Sequence, residues 1–313
     1  MRRLGIVLAF FLTTALVGGA MPAQATFPGT NGRIAFGSGR YGGSFNIFTM
    51  NPDGSGVRQL TFLHANQGAA LDQSWSPDGS RLVFEKRNPD GSVRQIFIMK
   101  ADGSNQHRLF SDPSYLDFEP TFSPDGSRVI FNRCRKDFET CAIYSVKSNG
   151  HGLTAVTHFD LAHNVLDFRP RYSPDGRSVA FTSYNRGGLT AAIYLINLRK
   201  STVRRLTPAW IEAFEFDWAP DGSMIVFDTN CCNPLRSAIW TVHIDGSDLT
   251  HLTFPGAKHD FTPRFSPQGD RIVFERDSAD FSTSGILSMN TDGSHVTTIQ
   301  TDAFIPSWGP GRE

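Results

Sequence analysis

One short segment recurs along this chain at nearly even spacing, and it constrains the fold more than any other feature. An aromatic residue, a turn of Ser-Pro-Asp-Gly type and an apolar strand ending in Phe appear as Trp75 to Phe84, Phe122 to Phe131, Tyr172 to Phe181, Trp218 to Phe227, where Ala219 stands for Ser, and Phe265 to Phe274, where Gln268 stands for Asp. A truncated copy begins at Trp308-Gly-Pro-Gly311, and the complementary fragment Asn31-Gly-Arg-Ile-Ala-Phe36 stands near the other end. The turn glycines at 32, 79, 126, 176, 222, 269 and 311 lie 42 to 50 residues apart, so the repeat count is six. Pro presets its own φ, Asp bonds back to the local backbone, and Gly accepts the positive φ that reverses the chain. Each copy therefore specifies strand, turn and strand locally.

Every unit carries two further strands. Ile47 to Met50, Ile96 to Met99, Ile143 to Val146, Ile193 to Ile196, Ile239 to Val242 and Ile286 to Met289 form one series. In five of the six units a turn pair follows, at Asp53-Gly54, Asp102-Gly103, Asn149-Gly150, Asp245-Gly246 and Asp292-Gly293. A last short strand then ends near Leu60-Thr61, Leu109-Phe110, Val156-Thr157, Leu206-Thr207, Leu252-Thr253 or Ile299-Gln300. A four-stranded sheet that is apolar on both faces cannot bury itself, whereas radial repetition packs each sheet between two neighbours. The split repeat favours a ring over a linear solenoid, because the strand around Ser307-Trp308 can complete the sheet begun by Arg33 to Phe36 and leave no open edge. The expected fold is all-β: a six-bladed β-propeller of four-stranded antiparallel blades, closed by its C-terminal strand.

The first 25 residues read as an export signal, with Arg2 and Arg3 before the apolar run Leu4 to Val17 and a small-x-small site at Ala23-Gln24-Ala25. The expected division is a signal peptide over 1–25 and the propeller over 26–313, with a secreted or periplasmic product. Thirty Lys and Arg balance thirty Asp and Glu, so the electrostatic footprint of a nucleic-acid binder is missing.

Ser-Pro-Asp-Gly followed by an Arg-apolar-apolar-Phe strand resembles the TolB-like propeller repeat, and the likeness extends over essentially all of residues 26–313. TolB proteins carry an N-terminal α/β domain before the propeller; here the first repeat strand follows the expected cleavage site directly, so a propeller alone is expected. The repeat is also similar to the propeller that precedes the hydrolase domain of prolyl oligopeptidase-type enzymes, but the sequence holds no Gly-x-Ser-x-Gly nucleophile elbow.

Loops entering each innermost strand should surround the mouth of the central channel. Counting back from the turn proline, the seventh residue is Asp117, Asp167 or Asp260. The fifth is Asp72, Glu119, Arg169 or Glu215, and the third Arg171, Asp217 or Arg264. A strand period of two places all of these on one side. Such a mixed ring of carboxylates and arginines is a candidate ligand site, and it equally suits mutual pairing between blades. His163 and His259, with His64, also precede innermost strands and form the alternative metal site; propeller lyases acting on pectin fragments, which the repeat resembles, use a His-rich metal centre. Their offsets from the turns differ, so no metal and no cofactor is the expectation.

Export makes disulfides the default state of the four cysteines. Cys134 with Cys141 is the favoured pair because it closes a hairpin, which leaves the adjacent Cys231 and Cys232 strained or reduced. Taken together, the sequence points to a non-catalytic binding propeller with a protein or peptide partner, an envelope glycan as second ligand class, and no need of a second copy in order to fold. A secreted carbohydrate-active lyase or hydrolase is the alternative.

Overall fold

The computed structural model describes residues 28–41, 43–186, 190–229 and 237–311. The expected signal peptide and the Cys231-Cys232 pair lie outside them. Six antiparallel four-stranded blades follow one another. The innermost strands are Ala69–Trp75, Tyr115–Phe122, Leu166–Tyr172, Ala213–Trp218, His259–Phe265 and Phe304–Pro310. The last of these pairs antiparallel with Asn31–Ser38, so the C-terminus supplies the inner strand of the first blade, as the split repeat demands. We number the blades in chain order, with Asn31–Ser38 in the first.

The turn chemistry is explicit. Ser76 Oγ donates to Asp78 Oδ1 at 2.5 Å, the Ser80 N–H donates to the same carboxylate at 2.9 Å, and the Arg81 N–H donates to Ser76 Oγ at 2.9 Å. The copies at Ser123 and Ser173 repeat this network. The Leu-Thr ends have an equally local reason: the hydroxyls of Thr61, Thr157, Thr207 and Thr253 accept the N–H groups of Ile47, Ile143, Ile193 and Ile239, 14 residues earlier. Each bond satisfies a donor near the start of a buried third strand and ties the end of the fourth strand to it.

Packing is between blades. The aromatic residue near the end of the inner strand reaches across the seam: Trp75 Nε1 donates to Ser307 O at 3.2 Å and Trp218 Nε1 to Arg171 O at 3.4 Å. Phe36, Phe84, Phe131, Phe181, Phe227 and Phe274, the last residue of each motif, are all fully buried. Six such seams replace one central core, so every blade is stabilised by its neighbours. Cys134 and Cys141 are cross-strand partners in the third blade and form a disulfide.

Candidate functional site

The inner strand of every blade contains a register shift two to four residues before the aromatic. At the bulge, Asp72, Glu119, Arg169, Thr262 and Ile305 adopt φ between +49° and +56°, a region that non-glycine residues rarely occupy. The bulge re-aims the fifth residue before the proline at the ring axis. What stabilises it is a bond from the neighbouring blade. The Arg169 N–H donates to Asn132 Oδ1 at 2.8 Å, the Thr262 N–H to Asp228 Oδ2 at 2.8 Å, and the Ile305 N–H to Glu275 Oε2 at 3.0 Å. In each case the acceptor follows the motif Phe of the preceding blade. These inter-blade acceptors were invisible to a search for site residues, although their position after the conserved-spacing Phe could have marked them.

The axis is lined by Asp72, Glu119, Arg169, Arg171, Glu215 and Arg264, with Asp217 toward the turn side. Arg169 Nε bonds Glu215, its Nη2 lies 3.6 Å from Glu119, and Arg264 Nη2 donates to Glu215 Oε2 at 2.9 Å. Arg171 Nε donates to Phe216 O at 2.7 Å and lies 4.0 Å from Asp217. Burial pushes the Glu215 carboxyl up, but Arg169, Arg264 and Arg171 outweigh it and hold the group down to about 2. Glu119 responds the other way: burial dominates over Arg169 and raises it to about 6. The two axial cavities measure only about 20 and 30 Å3, room for a water and no more.

Asp117, Asp167 and Asp260 are not on the axis. The bulge breaks the period of two, and each of these carboxylates pairs within its own blade: Asp117 with Arg133 at 2.7 Å, Asp167 with Arg186 at 2.7 Å and Asp260 with Arg276 at 2.5 Å. Those arginines lie over the rings of Phe131, Phe181 and Phe274. The candidate metal histidines are likewise separated by their partners. His163 Nδ1 lies 3.0 Å from Asp160, whereas the buried His259 ring stacks on Phe281 at 4.8 Å. His64 is exposed. Among the described residues no three His, Cys, Asp or Glu side chains converge in a metal-holding group.

A different feature distinguishes the loop face. The exposed aromatic side chains among the described residues are Tyr41, Phe45, Phe62, Phe138, Trp210, Phe254 and Phe281. All seven lie in loops joining second to third strands or fourth to first strands, on the face opposite the Ser-Pro-Asp-Gly turns. Trp210 meets Trp240 edge-on at 6.3 Å; Trp240 stacks on His251 at 4.2 Å, and Phe254 is tilted against His251 at 4.1 Å. Aromatic residues just after a Leu-Thr strand end were the available sequence signal.

Residues 161–312 match the family model of the TolB β-propeller domain. The chain is a TolB-like propeller. It is 41% identical over 56 residues to the Tol-Pal system protein TolB of Anaeromyxobacter dehalogenans (strain 2CP-C), a stretch that is 18% of this chain and 12% of that protein. The TolB-like propeller superposes on the crystal structure of TolB from Acinetobacter baumannii with a TM-score of 0.72 at 21% identity, covering 90% of this chain and 67% of that one. Oligogalacturonate lyase in complex with manganese aligns with a TM-score of 0.58 at 16% identity, over 88% of this chain and 76% of the lyase. At such identities the shared property is the fold.

Proposed function

We propose that this TolB-like propeller is an exported, non-catalytic binding protein that holds a protein or peptide partner on its loop face, around the channel mouth. The segregation of all seven exposed aromatics to that face carries the reading, since aromatic rings gathered on one surface mark interaction sites and are enriched in their energetic centres. The axial charges, Asp72, Glu119, Arg169, Glu215, Arg171, Asp217 and Arg264, fit this role as the rigid rim of the mouth, because Arg169, Arg171 and Arg264 engage Glu119, Glu215 and Asp217 and tie neighbouring inner strands together. The Cys134–Cys141 disulfide suits an oxidising compartment outside the cytoplasm, and the likeness to a Tol-Pal system protein supports an envelope setting. An envelope glycan is the second ligand class, and a monomer the working unit.

The test is metal analysis of purified residues 26–313 together with thermal shifts against envelope peptides and glycans, for the native protein and for Phe62→Ala, Trp210→Ala and Phe254→Ala. The expected result is stabilisation by a peptide that the three substitutions weaken. A stoichiometric divalent metal lost on changing His163 or His259, with bond cleavage in an acidic oligosaccharide, would overturn it in favour of a lyase.

A further inference from the structure

We infer that the seam between the third and fourth blades, on the Ser-Pro-Asp-Gly face, is a docking site for a tight Asp-Gly-type turn of a partner polypeptide. The site lies opposite the aromatic loop face and does not depend on the reading given for it.

The argument rests on what the other five seams contain. In four of them the turn between third and fourth strands presses its glycine against the end of the preceding blade's fourth strand, and in the fifth, at Gly246, it lies in ordinary contact with it. A Cβ on Gly54 would stand 2.0 Å from Ile299 O, on Gly103 2.9 Å from Leu60 O, on Gly150 2.1 Å from Leu109 O, on Gly246 3.9 Å from Leu206 O and on Gly293 2.7 Å from Leu252 O. Only a residue without a side chain permits that approach in most of these seams. The fourth blade has Arg199 and Lys200 where the others have Asp or Asn and Gly, with no change in loop length.

Its turn is accordingly built differently. The N–H groups of Asn51, Lys100, Lys147, His243 and Asn290 donate to the carbonyl four residues ahead. At Asn197 the direction reverses: its carbonyl accepts the Ser201 N–H at 2.8 Å, and its side chain accepts the Lys200 N–H at 2.9 Å. Asn197 then pairs with Thr202, so the hairpin closes on itself instead of reaching the third blade. The space left behind is a cleft of about 640 Å3 between Ser145 and Val156 on one side and Tyr172, Ile196, Leu198 and Ser201 on the other. That volume lies within the range of ligand sites, and it is far larger than either axial cavity.

The chain itself indicates the occupant, because the same place is filled five times by a β-turn carrying Asp or Asn followed by Gly. The rim charges agree. Arg199 and Lys200 are exposed beside the cleft. The two carboxylates lining it are engaged by their own turns, Asp125 by Ser123 and Ser127 and Asp175 by Ser173 and the Arg177 N–H. An acidic turn therefore meets the cationic Arg199 and Lys200, which have no ion-pair partner among the described residues, while both carboxylates are already engaged by their own turns.

The probe is a cyclised peptide carrying the chain's own Asn290 to His295 segment, titrated into the isotope-labelled propeller and followed by amide chemical shifts. Saturable shifts at Val156, Tyr172 and Ser201 are expected. The length-neutral double substitution Arg199→Asp with Lys200→Gly restores the internal turn; it should weaken peptide binding at least tenfold and raise the melting temperature. Thr154→Trp, at an exposed position on the cleft wall, blocks the site without touching the hairpin and serves if the double variant does not fold. Shifts confined to other seams, no shifts at millimolar peptide, or undiminished binding in Thr154→Trp would each overturn the inference.

Discussion

Arg169 of the fourth blade reaches across a seam and bonds Glu215 of the fifth through its Nε. The same guanidinium faces Glu119 of the third blade, so one side chain ties three blades together at the axis. Both carboxylates are largely removed from water, and their mutual repulsion is held in check by this cation.

Replacing Arg169 with Met should therefore destabilise the ring by about 3 kcal/mol, the usual consequence of removing one partner from a buried ionic cluster. Chemical denaturation reads the loss. Adding Glu119→Gln to Arg169→Met should recover part of it, because one of the two abandoned charges is then neutral.

Asp228 gives the chain a pH dependence of stability with a definite sign. Burial, reinforced by the charge of Glu215, raises its carboxyl to about 7, against about 3.9 in an unfolded chain. Between those values the native state binds the proton and the unfolded state does not, so this contribution is full below pH ~4 and is lost as pH climbs to about 7. Glu215, held down to about 2, acts in the opposite sense and only in acid. Denaturation midpoints at pH 5 and pH 8 should fall with pH in the native protein, and Asp228→Asn should reduce that fall.

The disulfide closes a short hairpin, with a sequence separation of 7. Chain-entropy reasoning assigns a loop of that length about 2 to 3 kcal/mol. Changing Cys134 and Cys141 to Ser together should lower stability by that order under oxidising conditions, and a reductant should bring the native protein to the level of the double variant. Equal stability of the two before reduction would contradict the assignment.

Trp210 and Phe254 are 67% and 78% exposed, so their truncation to Ala should cost stability no more than about 0.5 kcal/mol. Binding of a loop-face partner should fall severalfold or more in the same variants. Unchanged melting together with weakened binding separates a recognition role from a structural one.

How far the sequence could be read follows from the range of the interactions involved. Ser76, Pro77, Asp78 and Gly79 make a turn from bonds among neighbours, and Thr61 caps Ile47 within a single unit; such features repeat with the sequence, and their count and the split first repeat sufficed for six blades and for the way the ring closes. The placement of Asp117 did not follow from a strand period of two. The bulge at Glu119 interrupts that period, and a register shift of this kind leaves no trace in the alternation of residues.

The sequence by itself determined the repeat, its strands and turns, the closing strand and the disulfide pair, because each depends on groups close along the chain or on spacing. Only the tertiary structure decided that Arg169, Arg171 and Arg264 are engaged by axial carboxylates, that the exposed aromatics share one face, and that the seam between the third and fourth blades opens into a cleft. Those outcomes depend on contacts between blades, where residues 30 to 50 positions apart meet and compete for the same partner. The Arg199-Lys200 substitution was present in the sequence throughout, but its consequence is a cleft, and a cleft exists only once the neighbouring blade is in place.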